Sequence, residues 1–268
     1  MVRLFQIAIF ICTALLLAGC TPPEKADTVW HQVKIGDLVP YPNQKRPSGQ
    51  LLKTISFDIY IFEIPAENIN TFDDVWPVLY TKPLRFNNFD AFKANFFSAG
   101  FAQVQMWNKI RDLLFAADAK KAETLSLLLS DGQANDLAVA RLDNEKTIFY
   151  ISAAGSMQEK TVRFGKLALR MKAEQIPGSR GVCEVDIKPV FSSRIKGLTQ
   201  QLPARDTSGE FLFTSAGFKL KMSPGDFVLL GPEKYLNHQV TLGSLFFSRP
   251  KPKPLIRAYL IVCTGIVD

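Results

Sequence analysis

The stretch Ile55-Ser56-Phe57-Asp58-Ile59-Tyr60-Ile61-Phe62-Glu63-Ile64 decides the fold class. Ile55, Phe57, Ile59 and Ile61 alternate with Ser56, Asp58, Tyr60 and Phe62. A period of two in β-branched and aromatic residues marks a strand, because successive side chains of extended backbone point to opposite faces. Helical spacing follows it. Thr71 and Asp74 are placed as in a capping box, and Phe72, Val75, Trp76 and Leu79 recur at helical intervals, with Pro77 kinking or shortening that helix. Asn88 reads as the N-cap of a second helix that carries Phe89, Phe92 and Phe96 and closes at Gly100. After a short strand at 101–104, Trp107, Ile110, Leu114 and Ala117 define a third helix.

Beyond residue 120 the period is two almost everywhere. Strands are expected at 124–129, 137–142, 147–152, 162–171, 182–191, 210–214, 218–222, 227–230, 242–248 and 255–263. Ser223-Pro224-Gly225-Asp226 has the Pro-Gly centre of a type II turn, so 218–230 is expected to be a hairpin. The chain therefore reads as α+β. An α/β subdomain at 51–120 precedes a mainly antiparallel β subdomain at 121–268.

On the other side of the first strand, residues 20–50 contain Pro22, Pro23, Pro40, Pro42 and Pro47 and few periodic apolar positions, which is the composition of a tether. Residues 1–19 have the parts of an export signal: Arg3 as the positive region, an apolar core from Leu4 to Leu17, then small Ala18 and Gly19. The core is shorter than the roughly 20 residues that span a bilayer, and two prolines follow at once.

The run Leu17-Ala18-Gly19-Cys20 resembles the lipobox of bacterial lipoproteins. That resemblance covers only the first twenty residues. It implies a diacylglycerol on the Cys20 thiol, cleavage before Cys20 and acylation of the new amino terminus, with palmitate among the acyl chains. Several chains, at about 0.8 kcal/mol per buried methylene, hold a protein to a bilayer far more firmly than one does. Thr21 is not the Asp that would favour inner-membrane retention in such lipoproteins, so the resemblance points to the outer membrane.

Without residues 1–19 the net charge falls from +7 to +6, since Arg3 is the only charged residue removed. A basic balance permits attraction to anionic lipids or envelope polymers. Nucleic acid is not an expected partner, because no Lys/Arg cluster is interleaved with stacking aromatics. Behind the anchor only Cys183 and Cys263 remain, each in a strand-like run. An oxidising envelope would let them pair, and two separately buried thiols are the alternative.

The histidines, His31 and His238, have no partner at metal-ligand spacing, and a zinc site needs three or four ligands. No metal or cofactor is expected. Without a base there is no Ser-His nucleophile, and neither a Gly-x-Ser-x-Gly elbow nor a phosphate loop occurs. Asp73 with Asp74 reads as a helix turn, and Asp131 with Asp136 as a turn and its flank, rather than as a catalytic carboxylate pair.

Two features invite a binding role. Lys166, Arg170 and Lys172 alternate with apolar residues, as do Lys219 and Lys221, so two strands offer basic outer faces that, as neighbours, would meet an anionic polymer or head group. Lys on a solvated strand face also serves simply to discourage edge pairing. Phe86, Phe89, Phe92, Phe96, Phe97 and Phe101 would line an apolar cavity or docking patch, or pack as core between helix and sheet. The expectation is a non-catalytic envelope lipoprotein that binds or assembles with other envelope proteins. A carrier or sensor of a small apolar ligand is second, and an envelope hydrolase third.

Overall fold

In the computed structural model the chain falls into two units, Met1–Lys34 and Ile35–Asp268, and the residues described, 53–193, 209–236, 240–249 and 252–267, all belong to the second. The export signal, Cys20, the Pro-rich segment, His31 and His238 lie outside them.

The alternating stretch is β1 (Thr54–Pro65), and it sits inside a sheet. The first sheet runs in the order β3 (Phe97–Gln103), β12 (Asp226–Pro232), β14 (Leu255–Val267), β1 and β4 (Lys120–Ser130), with β13 (Ser248–Arg249) against β14. A second sheet runs β2 (Arg85–Phe86), β11 (Phe218–Met222), β9 (Cys183–Ser193), β8 (Gly165–Gln175) and β5 (Ala134–Leu142), with β10 (Glu210–Leu212) beside β9. β6 (Lys146–Ile151) and β7 (Met157–Val162) form a separate hairpin. These pairings are antiparallel, and the body is mainly antiparallel β with a few helices. β1 and β3 from the first stretch pair with β14 and β12 from the second, so a boundary at residue 120 would divide a hydrogen-bonded sheet.

Ile55, Phe57, Ile59 and Ile61 pack into one core with Leu167, Leu169 and Met171 of β8 and with Val185 and Ile187 of β9. Tyr60, Phe62 and Ile64, on the opposite face of β1, are buried as well. Helices cover that half of the sheet. α1 (Ile69–Asp73) sets Phe72 near Gly231, and α3 (Trp107–Ala116) sets Trp107 edge-on to Phe227 of β12. The polar alternation of β1 stops at Asp58 because the outer face changes there from solvent to helix.

The third helix has the expected stripe, with Trp107, Ile110 and Leu114 buried. The first begins earlier than Thr71, at Ile69, and Pro77 lies in the first turn of a 3-10 helix, Trp76–Val78, where a residue without an N–H is tolerated. Asn88 caps α2 (Phe89–Ala94) as its sequence position suggests, accepting from the Ala91 amide at 2.9 Å. That helix stops well before Gly100. Phe96 takes a left-handed φ of 64° and the chain continues as β3, where Gly100 gives room to Leu79, whose Cβ would lie 2.4 Å from a Cβ on the glycine.

Three other expectations are corrected. Residues 242–248 are not a strand: Leu242–Phe247 form α4, whose Thr241 and Ser244 make a capping box. All six helical residues are buried, so no polar face exists to show a helical period. The strand expected at 162–171 is broken at Phe164, with φ 40°, where β7 ends and β8 begins. The turn at 223–226 is real, with Gly225 at φ 91° and the Asp226 amide bonded to Ser223 O at 2.9 Å. It does not close a hairpin, because β11 belongs to the second sheet and β12 to the first. Ser130-Asp131-Gly132 likewise carries the chain from β4 in the first sheet to β5 in the second. Among the described residues no helix is long and apolar enough to cross a membrane.

Candidate functional site

The basic residues singled out in the sequence do share the outer face of the second sheet, but β9 runs between the two strands that carry them. Register places Asp136, Arg170 and Lys188 in one cross-strand row, and Lys172, Asp186, Lys219 and Arg85 in the next. Glu174, Glu184 and Lys221 form a third. Each row therefore mixes acids and bases across the strands.

Arg170 is the best-held member. Its Nε and Nη2 donate to the two Asp136 oxygens at 2.7 and 3.0 Å, and Nη1 and Nη2 donate to Glu210 at 2.8 and 3.0 Å. These paired bonds raise the guanidinium further above its ordinary range. Lys188 donates to Asp186 at 2.6 Å, Lys219 stands 3.6 Å from the same carboxylate, and Arg85 meets Glu184. Lys172 pairs with Glu174, and Lys166 lies 3.8 Å from Asp136. The face is a mosaic whose charges are largely satisfied by one another. The signal for the missing half was visible: Glu184, Asp186 and Lys188 alternate with Cys183, Val185 and Ile187. What sequence could not supply was that β9 lies in the middle.

The Arg170 bond holds the Glu210 carboxyl below its ordinary value of 4.5. A lowered folded-state value means that the pair's contribution is present above the unfolded carboxylate range and is lost as pH falls through the folded one. Glu210 is largely solvated, so Glu210→Gln is expected to lower stability at pH 7 by less than about 1 kcal/mol and to leave it unchanged at pH 2, as read from thermal melts. An equal loss at both pH values would show that the pair is not responsible.

The Phe cluster is packed. Phe92 and Phe97 are fully buried, with Phe92 meeting Phe86 and Phe218, and Phe97 meeting Phe246 and Phe247. Phe89 is half-exposed and Phe96 lies under Lys234. One groove of about 440 Å³ borders the second sheet beside Ala138, Ala140 and Gly165. Arg249, whose guanidinium reaches Val139 O at 2.9 Å and Ser248 O at 3.1 Å, lies near it, and burial lowers its affinity for a proton.

Two of the four paired carboxylates have structural partners. Asp131 Oδ1 accepts the Gln175 amide at 2.6 Å and Asp136 holds Arg170. Burial raises the Asp73 carboxyl above its ordinary range, while the neighbouring Trp76 indole acts in the opposite sense. Among the described residues no three His, Cys, Asp or Glu side chains come together as a metal site. Cys183 of β9 and Cys263 of β14, on different sheets, are both buried with their thiols side by side.

Comparison with protein-family models, with curated proteins and with solved structures found no match to this chain.

Proposed function

We propose that this chain is an exported bacterial lipoprotein, held at the outer membrane through acylated Cys20, whose β body acts by binding or assembling with other envelope proteins rather than by catalysis. The observation that carries this reading is the position of Cys20, directly after Ala18-Gly19 at the end of a short apolar core. The Pro-rich stretch from Pro22 to Pro47 would serve as a spacer, since extended chain spans up to about 3.3–3.6 Å per residue. The charge mosaic on the second sheet supports a protein partner over a uniformly anionic polymer, because rows that mix acids and bases suit a complementary, patterned surface.

The anchor is tested with Cys20→Ala in full-length chain. The variant is expected to remain unprocessed and to incorporate no labelled palmitate, whereas the parent loses residues 1–19 and takes up label. Normal processing of the variant would overturn the anchor. The assembly role is tested by mild cross-linking in cells and purification from detergent, with a stoichiometric envelope protein as the expected companion. Recovery of the chain alone would remove that part of the proposal.

A further inference from the structure

Cys183 opens β9 in the second sheet, and Cys263 lies in β14 in the first. Neither has any exposed surface. The short arch joining β11 to β12 touches both: Cys183 stands opposite Met222 in register with its Sγ 3.5 Å from Met222 O, and the Gly225 amide donates to Cys263 O at 2.8 Å. Across the core the two thiols are within hydrogen-bonding reach of each other. Both are free thiols here, two cysteines brought together from opposite sheets by non-local pairing. A disulfide here would join the layers at the point where the chain crosses between them.

We infer that Cys183 and Cys263 form an inter-sheet disulfide, made while the chain folds in an oxidising compartment. The compartment rests on the export reading above; the capacity to form the bond does not. The oxidant is a disulfide, either a small molecule such as oxidised glutathione or a protein disulfide. One cysteine thiolate attacks it, forming a mixed disulfide and releasing one thiol; the second cysteine then displaces the other thiol. Cys183 and Cys263 each lose one hydrogen, and the oxidant gains both as two thiols. Timing follows from burial. In the closed sandwich neither sulfur is reachable, and the hydrogen bond with the Cys183 thiol together with burial pushes the Cys263 thiol up, so it is not a ready nucleophile once folded.

The test uses full-length chain, as parent and as Cys20→Ala, reduced in denaturant and refolded in glutathione buffers of increasing oxidised fraction. After acid quench, alkylation and tryptic digestion, mass spectrometry is expected to find peptides 181–194 and 258–268 joined, in a pair that reductant separates. Alkylated Cys183 and Cys263 throughout the series, or joins to Cys12 or Cys20 instead, would overturn the bond. The same digest of chain alkylated directly in cells separates the two readings. Joined peptides in the refolding series with free thiols in cells would stand against export and leave the bond intact, while free thiols in both would reject the bond wherever the chain resides.

Discussion

Replacing Asn95 by Leu should destabilise the protein by about 3–5 kcal/mol, because it leaves buried backbone groups without partners at a cost of about 1–3 kcal/mol each. Asn95 follows α2 and is 2% exposed. Its Nδ2 stands 2.8 Å from Ala91 O and from Ile151 O and 3.2 Å from Ser215 Oγ, two hydrogens shared among three acceptors, while its Oδ1 accepts the Ile151 amide at 2.8 Å. Both backbone groups of Ile151 are thus satisfied by one side chain. Leu fills similar space and offers neither a donor nor an acceptor. Gly243 of α4 presses on the same point, since a Cβ there would lie 2.4 Å from Asn95 O, so the surroundings have little freedom to relax.

The loss should be local before it is global. The β6–β7 hairpin is held to the body by Asn95, by the Phe149 amide on Val240 O at 2.8 Å, by Asn88 on Ala153 O at 3.0 Å and by Tyr150 against Phe213. Hydrogen exchange on Asn95→Leu should show the Ile151 amide deprotected first, ahead of the β1 and β14 amides, and urea unfolding should give the total loss. Ser215→Ala removes one of the bonds and should cost about 1 kcal/mol. An Asn95→Leu loss no larger than that of Ser215→Ala would mean that Ile151 finds other partners.

Asn95 was not legible in the sequence, and the reason is physical. It stands between Ala94 and Phe96 in a Phe-rich run, and its partners Ile151 and Ser215 are brought to it by tertiary structure alone. Local periodicity reports which face of a strand is apolar; it does not report the neighbouring strand. Hence the parity of β8, β9 and β11 could be read, including Cys183 on the apolar side, while the place of β9 between the two basic strands could not. The turn at 223–226 makes the same point. Pro224-Gly225 gives one local signature to a hairpin and to an arch between sheets, and only the pairing of β11 with β9 and of β12 with β3 and β14 separates them. α4 is illegible for the opposite reason: with every residue buried, its apolar run carries no period at all.

Trp107 was legible, and it carries the second large expectation. It opens α3, is 1% exposed, and packs edge-on to Phe227 with ring centroids 6.1 Å apart, so it holds the helix against the outer face of the first sheet together with Ile110 and Leu114. Trp107→Ala should lower stability by about 3–5 kcal/mol, the loss expected when a large buried ring is replaced by a methyl group. Its indole Nε1 is buried and has no hydrogen-bond partner among the described residues. The side chain therefore contributes through volume and ring contact, and Trp107→Phe, which keeps one ring and removes the unpartnered N–H, should lose only about 1–2 kcal/mol. Urea titrations of the full-length variants, followed by far-ultraviolet circular dichroism, compare the two. A Trp107→Phe loss as large as that of Trp107→Ala would mean that the N–H is bonded and that the helix is held by a polar anchor rather than by packing.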